Sequence, residues 1–237
     1  MKRKKSTLLI CIICAIGIAV MAAAALIMNR LHQQKEAAVQ EEVRQAQEVA
    51  EQYLRETYDE EMICYDARKT RSLFHDGKYW CKFYPKDAPE LKFEVFVYDD
   101  FSGADDDYLK VRAEAVLQPV YQAYASEIWG DGVQITVKGH AGWSRYYIVS
   151  DSAEELVAHE LFDLDIAMSS DLTEENLHET AVQIDTFREL LGNKNLMPYS
   201  FDVTFPNRRY VLTIYLDCDT LEEIEEALNR VRTGSIF

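Results

Sequence analysis

Residues 77 to 100, GKYWCKFYPKDAPELKFEVFVYDD, read as two strands joined by a turn between Pro85 and Pro89. In the second strand Leu91, Phe93, Val95 and Val97 alternate with Lys92 and Glu94, the period of two that gives a strand one apolar face. Upstream, MICYDA at 62 to 67 adds a third strand, with His75-Asp76-Gly77 as the turn that completes an antiparallel meander. An apolar sheet face needs a covering layer. Reading downstream, Tyr108 to Trp129 is expected to be the helix that supplies it, closed at Gly130, with VQITV from Val133 starting a further strand.

The second half has the same grammar. Ser152 with Glu155 reads as a capping box over a short helix, FDLDIAM at 162 to 168 as an alternating strand, and Thr173 to Leu191 as an amphipathic helix stopped by Gly192. Leu177, Ala181, Ile184, Phe187 and Leu191 share one stripe of that helix and must face a core. YSFDVTF and RRYVLTIYL flank Pro206-Asn207 as a hairpin, and Thr220 with Glu223 caps a final helix carrying Leu221, Ile224, Leu228 and Val231. The fold class expected is α+β: an N-terminal transmembrane helix and helical stalk, then two small lobes of antiparallel sheet covered by helices. The glycines at 139 and 142 place the boundary between lobes 59–140 and 141–237.

Ahead of the lobes lies TLLICIICAIGIAVMAAAALIM, residues 7 to 28, an uncharged apolar run of the roughly twenty residues that cross a hydrocarbon core as a helix. Lys2, Arg3, Lys4 and Lys5 precede it, so residues 1–6 are expected to be a cytoplasmic basic tail and everything after Asn29 extracellular. The run is longer than the apolar core of a cleaved signal peptide, although Ala22 to Ala25 offer a cleavage-like site. Cys11 and Cys14 each follow an isoleucine, which disfavours a lipoprotein signal. Residues 29–58 contain no Gly or Pro and read as a helical stalk. Val39, Val43, Ala46, Ala50, Tyr53 and Thr57 line one narrow face, a seam for a weak homodimer; the favoured reading is that the last turns, with Val49, Tyr53, Leu54 and Tyr58, cover a sheet.

The chain has 237 residues, 48% hydrophobic, with a formal net charge of −16. Five of the 25 basic residues and none of the 41 acidic ones lie in the first thirty positions, so the remainder is more acidic still. Such a surface repels phosphate, which argues against nucleic acid and against docking on anionic headgroups. The expected partners are the membrane, through residues 7–28, and an extracytoplasmic protein or envelope component. Of the five cysteines, Cys64, Cys81 and Cys218 fall beyond the apolar segment; a Cys64–Cys81 bridge is permitted but not fixed.

Candidate chemistry is sparse. Asp99, Asp100, Asp105, Asp106 and Asp107 cluster around Ser102-Gly103 and are the weak candidates for a metal, although the spacing fits no EF-hand loop; acids that open a helix explain them as well. His159-Glu160-Leu161-Phe162-Asp163 begins like a zinc-protease helix but lacks the second histidine. The other histidines, His32, His75, His140 and His178, are scattered, no G-x-S-x-G elbow or phosphate loop occurs, and no cofactor is expected. Tyr79, Trp80, Tyr84, Trp143, Tyr146 and Tyr147 offer a groove for a glycan or peptide, or simply core.

Ala50-x-x-Tyr53-Leu54, Tyr84-Pro85-Lys86-Asp87-x-Pro89 before Phe93, and Asp107-Tyr108-Leu109 together resemble exported or membrane-anchored proteins of Gram-positive bacteria. In these, small domains set helices against a curled sheet, as cystatin-like or PepSY-like modules do. The resemblance covers residues 40 to 140 and implies a non-enzymatic extracytoplasmic role. No functional residue of a cystatin-like inhibitor is matched. The expectation is therefore a binding, sensing or interaction module, with a metal-dependent hydrolase using His159 and Glu160, or a structural spacer, as alternatives.

Overall fold

The computed structural model describes residues 2–70, 79–140, 142–208, 212–215 and 220–234; the side chains of 2–20, 22–24, 214 and 215 lie outside that description. The fold is mixed α+β, with five α-helices and two four-stranded sheets among the described residues. In chain order these are α1 (Lys2–Thr57), β1 (Met62–Lys69), β2 (Tyr79–Pro85), β3 (Phe93–Val97), β4 (Ala104–Asp106), α2 (Tyr108–Trp129), β5 (Val133–Gly139), α3 (Ala153–His159), β6 (Phe162–Met168), α4 (Leu177–Asn193), β7 (Ser200–Thr204), β8 (Leu212–Tyr215) and α5 (Leu221–Thr233). The first sheet has the order β1-β2-β3-β4. The turn expected at His75 to Gly77, and Cys218, fall outside the described residues.

The chain packs as two compact units, one comprising Met1–Asp59, Cys64–Cys81 and Phe96–Ala104, the other Glu60–Ile63, Lys82–Val95 and Asp105–Phe237. In the first, α1 is 56 residues long, about 84 Å at the α-helical rise. Its exposed middle is held by its own side chains: Arg44 pairs with Glu41 and Glu48, and Gln47 bonds Glu51 at 2.8 Å. Its last turns bury Ala46, Ala50 and Leu54 completely or nearly so, and Glu42 accepts from Lys69 Nζ (2.7 Å) and the Tyr79 hydroxyl (3.0 Å). Of the residues expected to cover a sheet, Leu54 is buried and Val49, Tyr53 and Tyr58 are half-buried, and Ala46 and Ala50 of the expected dimer seam are buried within the chain. Cys64 and Cys81 are both free thiols.

Among the described residues no helix is long and apolar enough to cross a membrane. The expected span, residues 7 to 28, is part of α1, but of its side chains only Met21 and Ala25 to Met28 are described.

In the second unit α2, α4 and α5 lie against the sheet β5-β6-β7-β8. β5 and β6 pair antiparallel (Ile135 opposite Ile166), β6 and β7 parallel (Asp165 opposite Asp202), and β7 and β8 antiparallel (Asp202 opposite Thr213). The parallel pair is the place where α4 must intervene, because a parallel connection needs a crossover. The stripe of α4 is buried as its spacing requires, and Ile224, Leu228 and Val231 of α5 join it around Leu164, Ile166, Phe201 and Val203. Thr220 and Glu223 form the full capping box. Ser152 caps α3 through the Glu155 N–H, but the Glu155 carboxylate accepts from Ser150 Oγ (2.7 Å), so the box is half made. Gly192 does not stop α4, which continues to Asn193; Asn195 takes the left-handed conformation (φ 56°).

The helix expected to cover the first sheet, α2, instead buries Ala113, Leu117, Tyr121 and Ala125 in the core of the second. The reason is visible along its flank. Gln118 donates to the Ile135 carbonyl (2.6 Å) and accepts from the Val137 N–H (3.0 Å), Gln122 accepts from the Ile135 N–H (2.9 Å), and Glu114 accepts from the Gly139 N–H (2.7 Å). Residues 114, 118 and 122 stand one helical turn apart, so their side chains meet the free edge of β5 much as a neighbouring strand would.

Candidate functional site

The five candidate aspartates do separate structural work. In the first unit Asp99 and Asp100 occupy the exposed turn after β3, where Asp100 accepts from the Ser102 hydroxyl (2.6 Å) and N–H (3.0 Å), which together hold its carboxyl below the usual range. In the second unit Asp105 pairs with Arg145 (3.2 Å). Asp106, 1% exposed, accepts from the Tyr108 N–H (2.8 Å) and from the Ser144 hydroxyl, whose oxygen accepts from the Leu109 N–H (2.7 Å). Asp106 and Ser144 thus satisfy the first amides of α2. Asp107 accepts from the Glu94 N–H (2.7 Å), and burial raises its carboxyl to about 6. Among the described residues no group of three or more such side chains is arranged to hold a metal ion.

His159 is the last, exposed residue of α3, Glu160 follows at its C-cap, and β6 starts at Phe162. Asp163 therefore projects from a strand, not from the same helical turn as His159, and a zinc-protease geometry is not formed. Burial raises the Glu160 carboxyl above its ordinary value. Asp163 has other partners: it accepts from the Ser200 hydroxyl (2.7 Å) and lies 3.3 Å from His140 Nδ1. The carboxylate stands between serine and imidazole, so the serine hydroxyl donates to Asp163 and does not meet the histidine that would have to take its proton in a triad. The trio ties the ends of β5, β6 and β7 together.

Two of the hollows formed by the described residues lie in the second unit. One is an open acidic groove of about 550 Å³ along α4 and α5, in which His178 Nδ1 is 3.2 Å from Glu225 and Arg232 is 3.6 Å from Glu174. The other is a narrower pocket of about 310 Å³ between the end of α2, the turn after β6 and the first half of α4. Its rim carries Ser169, Ser170 and Glu179, all exposed, while Met168, Thr180 and the half-buried Trp129 lie deeper. The indole N–H of Trp129 is buried with no acceptor among the described residues, and its ring packs against Phe187 at 5.1 Å.

No family model and no curated protein matches the chain. Among solved structures it is similar to a DUF5037 family protein from Ruminococcus gnavus ATCC 29149. The two share 13% identity over 76% of this chain and 98% of that one, with a TM-score of 0.39.

The pocket, the Asp163 trio and the glutamine flank are the features that sequence reading passed over. Residues 140, 163 and 200 meet only through strand pairing and leave no local signal, and the pocket joins residues 128 to 183 in the same way. The flank had one: acceptor-bearing side chains at 114, 118 and 122, four apart on a helix otherwise apolar along its buried face.

Proposed function

We propose that this is a single-pass membrane-anchored protein whose acidic α+β part lies outside the cell and binds a protein or an envelope component, without turnover. The observation that supports it most is the bare apolar surface on α1. Met21, Leu26, Ile27, Met28 and Leu31 are 52 to 71% exposed among the described residues, in and just after the apolar run that starts at Thr7. Leaving such side chains in water is unfavourable by about 25 cal/mol per Å², whereas lipid accepts them. The basic residues at 2 to 5 favour a cytoplasmic N-terminus. From Asn29 to Glu41 the helix is exposed throughout, a spacer of about 20 Å before it begins to pack.

A binding role is favoured over hydrolysis because the residues nearest to catalytic patterns, His159, Glu160, Asp163 and Ser200, are engaged as helix end, cap and strand ties. The exported Gram-positive proteins that residues 40 to 140 resemble would share such a role. The test is alkaline carbonate extraction of membranes carrying the full chain with a C-terminal tag, followed by protease added to intact cells. The reading expects the tag in the membrane pellet and cleaved from outside; a tag in the soluble fraction, or protected in intact cells, overturns it.

A further inference from the structure

We infer that the pocket between α2 and α4 is a binding site for an uncharged, polyhydroxylated ring, a single sugar unit, held by Thr180, Gln183 and Glu179 against the Trp129 wall. The inference rests on the binding-module reading but not on the membrane anchor. The volume of about 310 Å³ sits at the lower end of the range for small-molecule sites. The composition of the wall narrows the class. It carries one carboxylate, Glu179, and neither Lys nor Arg, which disfavours an anion. Ile128, Trp129 and Met168 supply the apolar side that the C–H face of a sugar needs, and hydroxyl, amide and carboxylate groups supply both donors and acceptors for its alcohols.

The polar groups there are uncommitted. Thr180 is only 6% exposed, yet its hydroxyl has no partner among the described residues, although Thr186 one and a half turns on bonds back to its own helix at 2.7 Å. Gln183, Glu179, Ser169 and Ser170 likewise make no side-chain bond among the described residues. Thr180 and Gln183 line the hollow and Ser169, Ser170 and Glu179 stand exposed on its rim, so a ligand rich in hydroxyls could bond all five without displacing a contact within the chain. Gly132 leaves room on the same wall, since a Cβ there would stand 3.3 Å from Ser169 Oγ. The Asn176 amide, by contrast, is engaged within the chain, accepting from Thr173 and donating to the Asp171 carbonyl.

The experiment uses the full chain in lipid nanodiscs, free of glycosidic detergent, with saturation-transfer-difference NMR against glucose, galactose and N-acetylglucosamine, and with glucosamine and glucuronate as charged probes. At least one neutral sugar should give a saturable signal that weakens about tenfold in Thr180→Val and in Glu179→Gln, with unchanged melting temperatures. His178→Ala, in the neighbouring groove, should leave it intact. Absence of saturable binding by all three neutral sugars overturns the inference, as does binding confined to glucosamine or to glucuronate, or binding indifferent to both pocket variants. If the same preparation still captures a protein or envelope fraction while no sugar binds, the sugar site fails and the binding-module reading stands; if neither occurs, both fail.

Discussion

Gln118 completes the hydrogen bonding of β5: one side-chain amide donates to the Ile135 carbonyl at 2.6 Å and accepts from the Val137 N–H at 3.0 Å. A primary amide carries the same donor and acceptor as a peptide group, so a single glutamine can stand in for one residue of a strand. With Gln122 and Glu114 beside it, the edge is closed without a fifth strand. Gln118→Leu should therefore lower stability by about 2 kcal/mol, since two main-chain groups lose their partner together. The amide of Val137 should lose its hydrogen-exchange protection first. The double variant with Gln122→Leu should also self-associate, because a bared edge recruits other strands. An unchanged exchange rate at Val137 would show that the flank is ornamental.

Gly139 is fixed by the close approach of another side chain. A Cβ at this position would lie 2.1 Å from the Tyr147 hydroxyl and 2.9 Å from Lys110 Cγ. The lysine can swing away; Tyr147, 6% exposed and packed against Phe162, cannot do so freely. Gly139→Ala should cost about 2 kcal/mol, read by chemical denaturation, and Gly139→Ala with Tyr147→Phe should recover part of it. Additive losses in the double variant would place the cause elsewhere.

The Asp107 carboxyl, raised by burial to about 6 from an ordinary 3.8, is held in its protonated form more firmly by the folded chain than by the unfolded one. Its ionisation therefore opposes folding. The penalty is absent below about pH 4, grows between about pH 4 and 6, and is complete at neutral pH. Because the group is partly solvated and sits at the start of α2, the effect is about 1 kcal/mol. Asp107→Asn keeps an acceptor for the Glu94 N–H and removes the charge. It should raise the melting temperature at pH 7.5 by a few degrees and flatten the pH profile between 4 and 6. A variant that melts lower at pH 7.5 contradicts this.

Cys81 is fully buried, and burial pushes its thiol up to about 12, while Cys64 is half-buried and also raised. Thiolate is the reactive form, so at pH 8 only about one Cys81 in ten thousand is poised to react at any moment. Iodoacetamide on the native chain should leave Cys81 unlabelled over hours and modify it at once in denaturant, as read by peptide mass mapping. Rapid native labelling of Cys81 would mean that β2 opens.

How far the sequence alone reveals this chain depends on the range of the interaction concerned. The stripe from Leu177 to Leu191 and the Thr220–Glu223 box are local, within one helix, and both read correctly. So does the shift from helix to strand at Met62. Strand partners are another matter. Val133 to Gly139 announces a strand, but nothing in those seven residues selects β6 over β3, and α2 reads as cover for the first sheet although its buried stripe belongs to the core of the second. The aspartates after Val97 looked like one cluster because they are close along the chain; folded, Asp100, Asp106 and Asp107 each accept from a different nearby amide.

The parallel join of β6 to β7 carries a consequence for synthesis. Residues 162 to 168 leave the ribosome with Phe162, Leu164, Ile166 and Met168 on one side, and their second neighbour is some thirty residues away, beyond the whole of α4. Antiparallel β5, already made, can shield one flank at once. The other flank stays open for roughly two to six seconds of elongation, at 5 to 20 residues per second. A nascent chain stalled in that interval is the form of this protein most prone to pair with a stranger, and the one a holding chaperone would be expected to meet.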